Sequence, residues 1–309
     1  MNLVLLETAS LGDGVDLSGF SAFGNVTAYE LSTPEETAER VADADIVILN
    51  KIPMNEKTLA KASRLKAICL TATGTNNIDF EYTNQRGIKV CNVKGYSTRS
   101  VVQHTFAMLF YLYEHLPQYD AYVTSGRYCD SLTFCHLSPA FHEIAGKTFG
   151  IVGLGEIGRG VAEVAKAFGC NVIYYSTTGA NNNPSYTRVS FDELLALSDI
   201  ISVHAPLTEN TFHLFSEEAF SKMKPSAYFL NLGRGPIADE AALAAALKAD
   251  QIAGACLDVL ETEPIPPNSP LLDASLSGKL LITPHIGWAP LEARQRCIDE
   301  TIKNINNLT

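Results

Sequence analysis

The sequence predicts an α/β fold in two domains, each built on a parallel sheet. Three observations predict it. The chain has 309 residues, about two domains at roughly 150 residues apiece. Short apolar runs alternate with amphipathic stretches along most of its length, the pattern of parallel strands joined by crossover helices. A glycine-rich turn, Gly153 to Gly158, stands between one such strand and the helix after it.

In order, Asn2 to Leu6 and Val26 to Glu30 read as strands. Thr33-Pro34-Glu35-Glu36 opens a helix: Thr caps, Pro suits the first turn, and the acids suit the helix dipole. Asp45 to Asn50 is a buried strand, Lys57 to Ser63 a helix, and Ala67 to Ala72 a strand. Phe80 to Arg86 is a short helix stopped by Gly87, and Lys89 to Val93 a strand. Ser97 to Leu116 is a long helix, with Val101, Val102, Phe106, Leu109, Phe110 and Tyr113 at helical spacing. Tyr119 to Gly146 loses that period and is rich in aromatics, Ser and Thr; it reads as an excursion suited to packing on a partner. The second series has strands at Phe149 to Val152, Asn171 to Tyr175, Ile200 to His204, Tyr228 to Leu232, Ile252 to Val259 and Leu280 to Thr283. Its helices are Glu156 to Phe168, Phe191 to Leu197, Asp239 to Lys248 and a closing Leu291 to Asn306.

Composition excludes several classes. With 46% hydrophobic and 18% charged residues the chain is ordinary globular material. The longest clearly apolar run, Phe106 to Tyr113, has eight residues, against about 20 for a membrane span. The N-terminus lacks a basic region and meets Glu7 at once, so it does not read as a signal peptide. A net charge of −11 argues against nucleic-acid or anionic-membrane partners, so a site for an anionic small molecule must be made locally positive. The cysteines, Cys69, Cys91, Cys129, Cys135, Cys170, Cys256 and Cys297, are scattered and odd in number, which suits thiols in a reducing cytoplasm. Cys129, Cys135 and His136 are close in sequence but lack a fourth ligand, so no metal site is expected.

The strongest local motif is Gly153-Leu154-Gly155-Glu156-Ile157-Gly158 between a strand and a helix. Gly153 permits the tight turn, Gly155 the approach of a pyrophosphate, and Gly158 close packing of helix on strand. This is the dinucleotide fingerprint of a Rossmann-type doubly wound sheet, with phosphates received at the helix N-terminus. An acid for the ribose hydroxyls is expected at the end of the next strand, but that position is Ser176, followed by Thr177 and Thr178. Loss of the acid makes NADP admissible, but no arginine follows to attract its phosphate; the hydroxyls of Ser176, Thr177 and Thr178 suit either cofactor, and the reading leans to NAD. Three more segments place polar residues at strand ends: Asn231 to Gly235, Leu257 to Pro264, and Thr283 to Trp288.

These motifs, with Thr73-Gly74-Thr75-Asn76-Asn77-Ile78-Asp79, Gln103-His104-Thr105 and His204-Ala205-Pro206-Leu207-Thr208, stand in one order along nearly the whole chain. In that order the sequence resembles the D-isomer-specific 2-hydroxyacid dehydrogenase family. Asn50 to Pro53, Tyr174 to Thr177 and Trp288 make it most similar to the glycerate dehydrogenase (hydroxypyruvate reductase) branch. Thr75 and Asn76 replace a common aromatic–Asp pair.

The resemblance implies a dinucleotide-binding domain over 99–284 and a flavodoxin-like, discontinuous substrate domain over 1–98 and 285–309, with the active site in a cleft that closes. It implies His285 as acid–base residue, Glu263 as its carboxylate partner, with Glu261 the competitor, and Arg234 as substrate anchor. Chemistry agrees: reducing a 2-keto acid needs a proton donor that titrates near neutrality and a cation for the carboxylate. The implied cofactor contacts are Gly153, Gly155, Glu156, Ile157, Gly158, Ser176, Thr177, Ala205, Pro206, Thr211, Leu232, Gly233, Asp258 and Gly287. Asp258 reads alternatively as a strand-end cap. Thr73 and Gly74 are implied to offer N–H groups to the substrate, with Lys51 and Trp288 as further substrate contacts; a solvated lysine and a merely packed tryptophan are the alternatives. His104 reads as structural. The expected activity is NAD(P)-dependent interconversion of a small 2-keto and 2-hydroxy acid, foremost hydroxypyruvate or glyoxylate, in a cytoplasmic homodimer. D-lactate-type and short phosphoglycerate dehydrogenases are close alternatives, and a cofactor-sensing corepressor is one of another class.

Overall fold

The computed structural model describes residues Met1–Leu308 and divides into two units, Thr98–Gly287 and a discontinuous one made of Met1–Ser97 with the segment from Trp288 onward.

In the discontinuous unit the strands are β1 (Asn2–Leu5), β2 (Asn25–Ala28), β3 (Ile46–Leu49), β4 (Ala67–Leu70) and β5 (Lys89–Cys91), with helices α1 (Pro34–Arg40) and α2 (Phe80–Gln85) between them. All pairings are parallel, in the order β2-β1-β3-β4-β5, which is the flavodoxin-like arrangement. Alternation along each strand feeds two cores. Val4, Val47, Leu49, Ile68 and Leu70 face one side with Val41, Met54 and Leu59, whereas Leu3, Leu5, Ile46, Ile48 and Cys69 face the other with Phe20. The closing helix of the chain, Leu291–Asn306, delivers Ile298 and Ile305 to that second face. The Thr33 cap forms as a capping box with Glu36, worth about 1 kcal/mol. The expected helix at 57–63 does not form; the segment is a series of turns. Asn55 accepts from the N–H of Lys57, and its own N–H donates to Thr58 Oγ1, so local side chains take the backbone bonds a helix needs.

The continuous unit opens with α3 (Thr98–Tyr113) and α4 (Leu116–Thr124). The long helix is broken where His115 adopts a left-handed φ of 53°, and Pro117 starts the second piece. Part of the expected irregular excursion is therefore helical. Beyond it Leu132, Phe134, Leu137 and Phe141 remain exposed.

Then follow β6 (Thr148–Val152), α5 (Glu156–Ala167), β7 (Asn171–Tyr175), β8 (Thr187–Arg188), α6 (Phe191–Leu197), β9 (Ile200–Val203), α7 (Glu217–Ser221), β10 (Tyr228–Asn231), α8 (Glu240–Lys248), β11 (Gly254–Leu257) and β12 (Leu280–Ile282), with Leu291–Asn306 as α9. The short β8 and α7 carry no periodic signal of their own. The sheet is parallel throughout, ordered β12-β11-β10-β9-β6-β7-β8. Counted from β6 this is the doubly wound order, reversing direction between β6 and β9. One face is covered by α3 and α5 through Phe106, Leu109, Val161 and Ala162, the other by α6, α7 and α8 through Leu194, Phe220, Leu243 and Leu247. Phe215, Phe220 and Phe229 are fully buried and mutually packed; truncating any one costs roughly 3–5 kcal/mol. All seven cysteines are free. Among the described residues no helix is long and apolar enough to cross a membrane, and no group of three His, Cys, Asp or Glu is placed to hold a metal.

Candidate active site

Ligands of doubly wound sheets bind beyond the carboxyl ends of the strands, where the order reverses. Here that point lies between β6 and β9. Gly153 has φ +90°, and a Cβ on it would sit 2.8 Å from Ala205 Cα. A Cβ on Gly158 would sit 2.2 Å from the Gly153 carbonyl oxygen, so only glycine lets α5 approach β6 this closely. Over Gly155, by contrast, a Cβ would meet nothing within 4 Å. No side chain caps α5, which leaves the first-turn N–H groups and the positive dipole end for an anion. The loop fits a dinucleotide pyrophosphate. Glu156 is exposed in that first turn, and Ile157 packs on the core.

Ser176 is buried, and its Oγ accepts from Asn181 N at 3.3 Å, while Thr177 is half-buried. Ala205 is buried against the glycine turn, and Pro206 is exposed beside it. Thr211 departs from the expectation of a cofactor contact. It is fully buried, donates to Pro206 O at 2.8 Å and accepts from Thr208 N at 2.7 Å. Its hydroxyl shapes its own loop and has no surface to present.

After β10, Asn231 folds the next turn: its Oδ1 accepts from Gly233 N and its Nδ2 donates to Arg234 O. Leu232 and Gly233 are buried there. A Cβ on Gly235 would fall 1.9 Å from the Leu260 carbonyl carbon, so this turn lies against the start of the acidic segment. Arg234 is half-buried, with Nη1 donating to Gly233 O at 2.8 Å. Among the described residues no carboxylate neutralises it.

His285 follows β12 with φ 55°, a left-handed backbone unusual for a side-chain-bearing residue and concentrated at functional sites. Asp258 holds it there. Oδ1 accepts from Thr283 Oγ1 (2.7 Å) and Ile286 N (2.8 Å), and Oδ2 accepts from Gly287 N (2.8 Å). His104 Nε2 lies 3.3 Å from Oδ1 and 3.0 Å from Thr283 Oγ1. Burial pushes the Asp258 carboxyl up, but the bonds from His104, Thr283, Gly287 and Ile286 outweigh it and hold the group below its usual value. The carboxylate thus caps the 283–287 turn, with His104 against it.

The acid that meets His285 is Glu263: Oε2 lies 2.8 Å from Nδ1, and Oε1 accepts from Leu260 N at 3.0 Å. Among the described residues nothing bonds Nε2, and the ring is 28% exposed. Glu261 is engaged elsewhere, 3.1 Å from His213 Nε2 and accepting from Glu240 N at 3.1 Å. Burial, then the neighbouring Glu261, Asp239 and Glu263 charges, push the Glu240 carboxyl up despite a bond from Glu261 N.

In the other unit, Thr73 and Gly74 follow β4. Thr73 Oγ1 donates to Val93 O, and Asn92 Nδ2 donates to Thr73 O. Among the described residues neither backbone N–H has a partner. Lys51 is exposed on a turn whose three N–H groups, from Asn50, Lys51 and Ile52, all reach Glu7 Oε2 at 2.8–3.2 Å. Glu7 escaped the sequence reading because it lies 44 positions from Lys51; a lone acid just after the first strand was its only trace. Thr283 opens the last of the polar strand-end segments, but its bond to Asp258 has no trace in the sequence. Trp288 packs on Val93, Tyr96 and Cys297.

Residues 106–287 match the family model described as the NAD-binding domain of D-isomer specific 2-hydroxyacid dehydrogenase. The chain is 36% identical over 311 aligned residues to a hydroxypyruvate reductase of Blautia hydrogenotrophica, covering 99% of this chain and 96% of the relative. It is 37% identical to a glycerate dehydrogenase of Methylorubrum extorquens, covering 88% and 85%. A solved D-lactate dehydrogenase from Aquifex aeolicus, complexed with NAD and lactic acid, superposes with a TM-score of 0.84 at 28% identity, covering 99% and 94%.

Proposed function

From its membership of the D-isomer-specific 2-hydroxyacid dehydrogenase family, we propose that the chain reduces hydroxypyruvate, and more slowly glyoxylate, to the 2-hydroxy acid. It is an oxidoreductase acting on the CH–OH group of D-2-hydroxy acids, with a nicotinamide dinucleotide as cofactor. The two relatives named for hydroxypyruvate and for glycerate describe one couple read in opposite directions, which supports the substrate chosen here.

The observation that carries the mechanism is the His285–Glu263 pair in a strained turn, in one unit with the glycine loop and an unneutralised arginine. When bound, the cofactor supplies the hydride that adds to the carbonyl carbon. His285 Nε2–H gives its proton to the carbonyl oxygen as charge develops there. Glu263 fixes the ring through Nδ1 and stabilises the imidazolium before transfer. Arg234 holds the substrate carboxylate with its planar fork. In the other unit, Thr73 and Gly74, with their unspent N–H groups, and Lys51 are proposed as substrate contacts. Trp288, packed in that same unit, is proposed as a further substrate contact. In the oxidative direction His285 takes the proton back.

Rates with NADH and NADPH against hydroxypyruvate, glyoxylate, pyruvate and phosphohydroxypyruvate test this reading. It requires hydroxypyruvate to have the highest kcat/KM, whereas binding of cofactor with no turnover of any acid would leave a sensor instead. The exposed Leu132, Phe134 and Leu137 support a homodimer built on the 119–146 segment, and the free thiols suit the cytoplasm. Sedimentation of a monomer at micromolar concentration would remove the dimer.

A further inference from the structure

The end of β7 decides which dinucleotide a doubly wound domain prefers, because the adenosine ribose lies against it. A carboxylate there binds the 2′-hydroxyl and repels a 2′-phosphate. In this chain the position is Ser176, and no Asp or Glu occurs between Glu163 and Asp192. The local sequence shows no arginine, but the fold supplies one. Parallel pairing of β8 with β7 sets Arg188 beside Tyr174. From there the guanidinium turns back over the loop after Ser176, with Nη1 donating to Gly179 O at 2.9 Å. Nη2 lies 3.7 Å from where a Cβ on Gly179 would be.

The loop that Arg188 reaches is tied down at Asn181 and Asn183. Asn181 Nδ2 donates to Leu154 O, inside the glycine turn, at 2.6 Å. Tyr174, fully buried, accepts from Asn183 N at 2.9 Å and donates to Asn181 O at 3.3 Å. The loop is thus held next to the phosphate-binding turn without any help from a ligand. Among the described residues Arg188 meets no carboxylate, and most of its five N–H donors are unspent.

We propose that Arg188, with the hydroxyls of Thr177 and Thr178, forms a site for the 2′-phosphate of NADP(H), and that the chain binds NADP(H) more tightly than NAD(H). The inference rests on the glycine loop holding the pyrophosphate. A 2′-phosphate near pH 7 carries between one and two negative charges and presents three acceptor oxygens. An oriented guanidinium meets both properties, and the loop itself, with no Asp or Glu between Glu163 and Asp192, adds no repulsion. In a chain of net charge −11 such local compensation is what a more highly charged cofactor requires.

Calorimetric titration of the full chain with NADP⁺, NAD⁺, adenosine 2′,5′-bisphosphate and 5′-AMP tests it, without reference to turnover. NADP⁺ is expected to bind on the order of tenfold to a hundredfold more tightly than NAD⁺, the range of one charge-assisted bond to phosphate. R188Q should erase most of that ratio and R188K restore part of it, with the bisphosphate and 5′-AMP following the same pattern. Equal affinities in the unaltered chain, or a loss in R188Q shared equally by NAD⁺ and NADP⁺, would overturn the assignment while leaving dinucleotide binding intact. Failure of both dinucleotides to bind would overturn the reading of the glycine loop together with it.

Discussion

The proposed mechanism turns on His285, and its replacement separates chemistry from binding. His285→Ala should lower kcat by about 10² or more, the usual worth of a positioned proton donor. The dissociation constant for the cofactor, measured by calorimetry, should stay within about threefold, since the ring belongs to a different loop from the glycine turn. A variant with unaltered kcat would exclude the acid–base role. A second histidine sets a pH limit of another kind. His204 Nε2 lies 2.8 Å from Ser202 Oγ, its Nδ1 is buried without a partner, and burial pushes the imidazole down to about 3. The folded state therefore keeps it neutral while the unfolded chain protonates it near pH 6.5. Its contribution to stability is complete above that pH and is lost as pH falls from about 6.5 towards 3, by up to about 1.4 kcal/mol per pH unit. Urea midpoints measured from pH 7 to 5 should fall more steeply for the unaltered protein than for His204→Gln; parallel slopes would refute this. At this scale the pairing of His285 with Glu263, 22 positions apart, was expected from the family resemblance and not from any local pattern. The same resemblance misled at Thr211, because nothing in a linear pattern shows that a hydroxyl is consumed by its own turn.

Among the elements, the 283–287 turn shows how a strained conformation is maintained. Two backbone N–H groups and one hydroxyl converge on Asp258, which sits one residue past β11. Asp258→Asn removes the charge and points an amide N–H at one of those donors. It should destabilise the chain by about 1–3 kcal/mol, the cost of a buried donor left unpaired. It should also lower kcat through His285, with rescue by Asp258→Glu weaker than the unaltered enzyme. Denaturant titration together with kinetics checks both, and a fall in kcat without loss of stability would point to direct cofactor contact instead. Capping signals read well at this scale, since Thr33 forms the cap expected of it, within a box completed by Glu36. The segment 57–63 did not, because Asn55 and Thr58 compete for the same backbone groups.

The whole molecule carries an asymmetry between its units. Thr98–Gly287 is one continuous stretch, whereas the other unit completes its second core only with Ile298 and Ile305 from α9. A fragment of residues 98–287 should therefore fold cooperatively and bind dinucleotide. A fragment of residues 1–97 should lack a covering helix over Leu3, Leu5 and Ile48 and bind hydrophobic dye. Circular dichroism melts of the two fragments decide this; a cooperative melt of 1–97 would show that α9 is dispensable.

The sequence alone determined which chemical groups the protein owns and in what order they come: a glycine turn, an arginine between glycines, an acidic segment and a histidine at strand ends. It also determined the alternation of strand and helix, because that follows from the period of apolar residues along the chain. Tertiary structure alone decided which distant groups meet. Asp258 finds Thr283 and His104, Glu7 finds the Lys51 turn, and Arg188 finds the loop after Ser176 only through the side-by-side order of strands. That order is set by packing across both faces of each sheet, an interaction among residues far apart in the chain, to which no local pattern gives access.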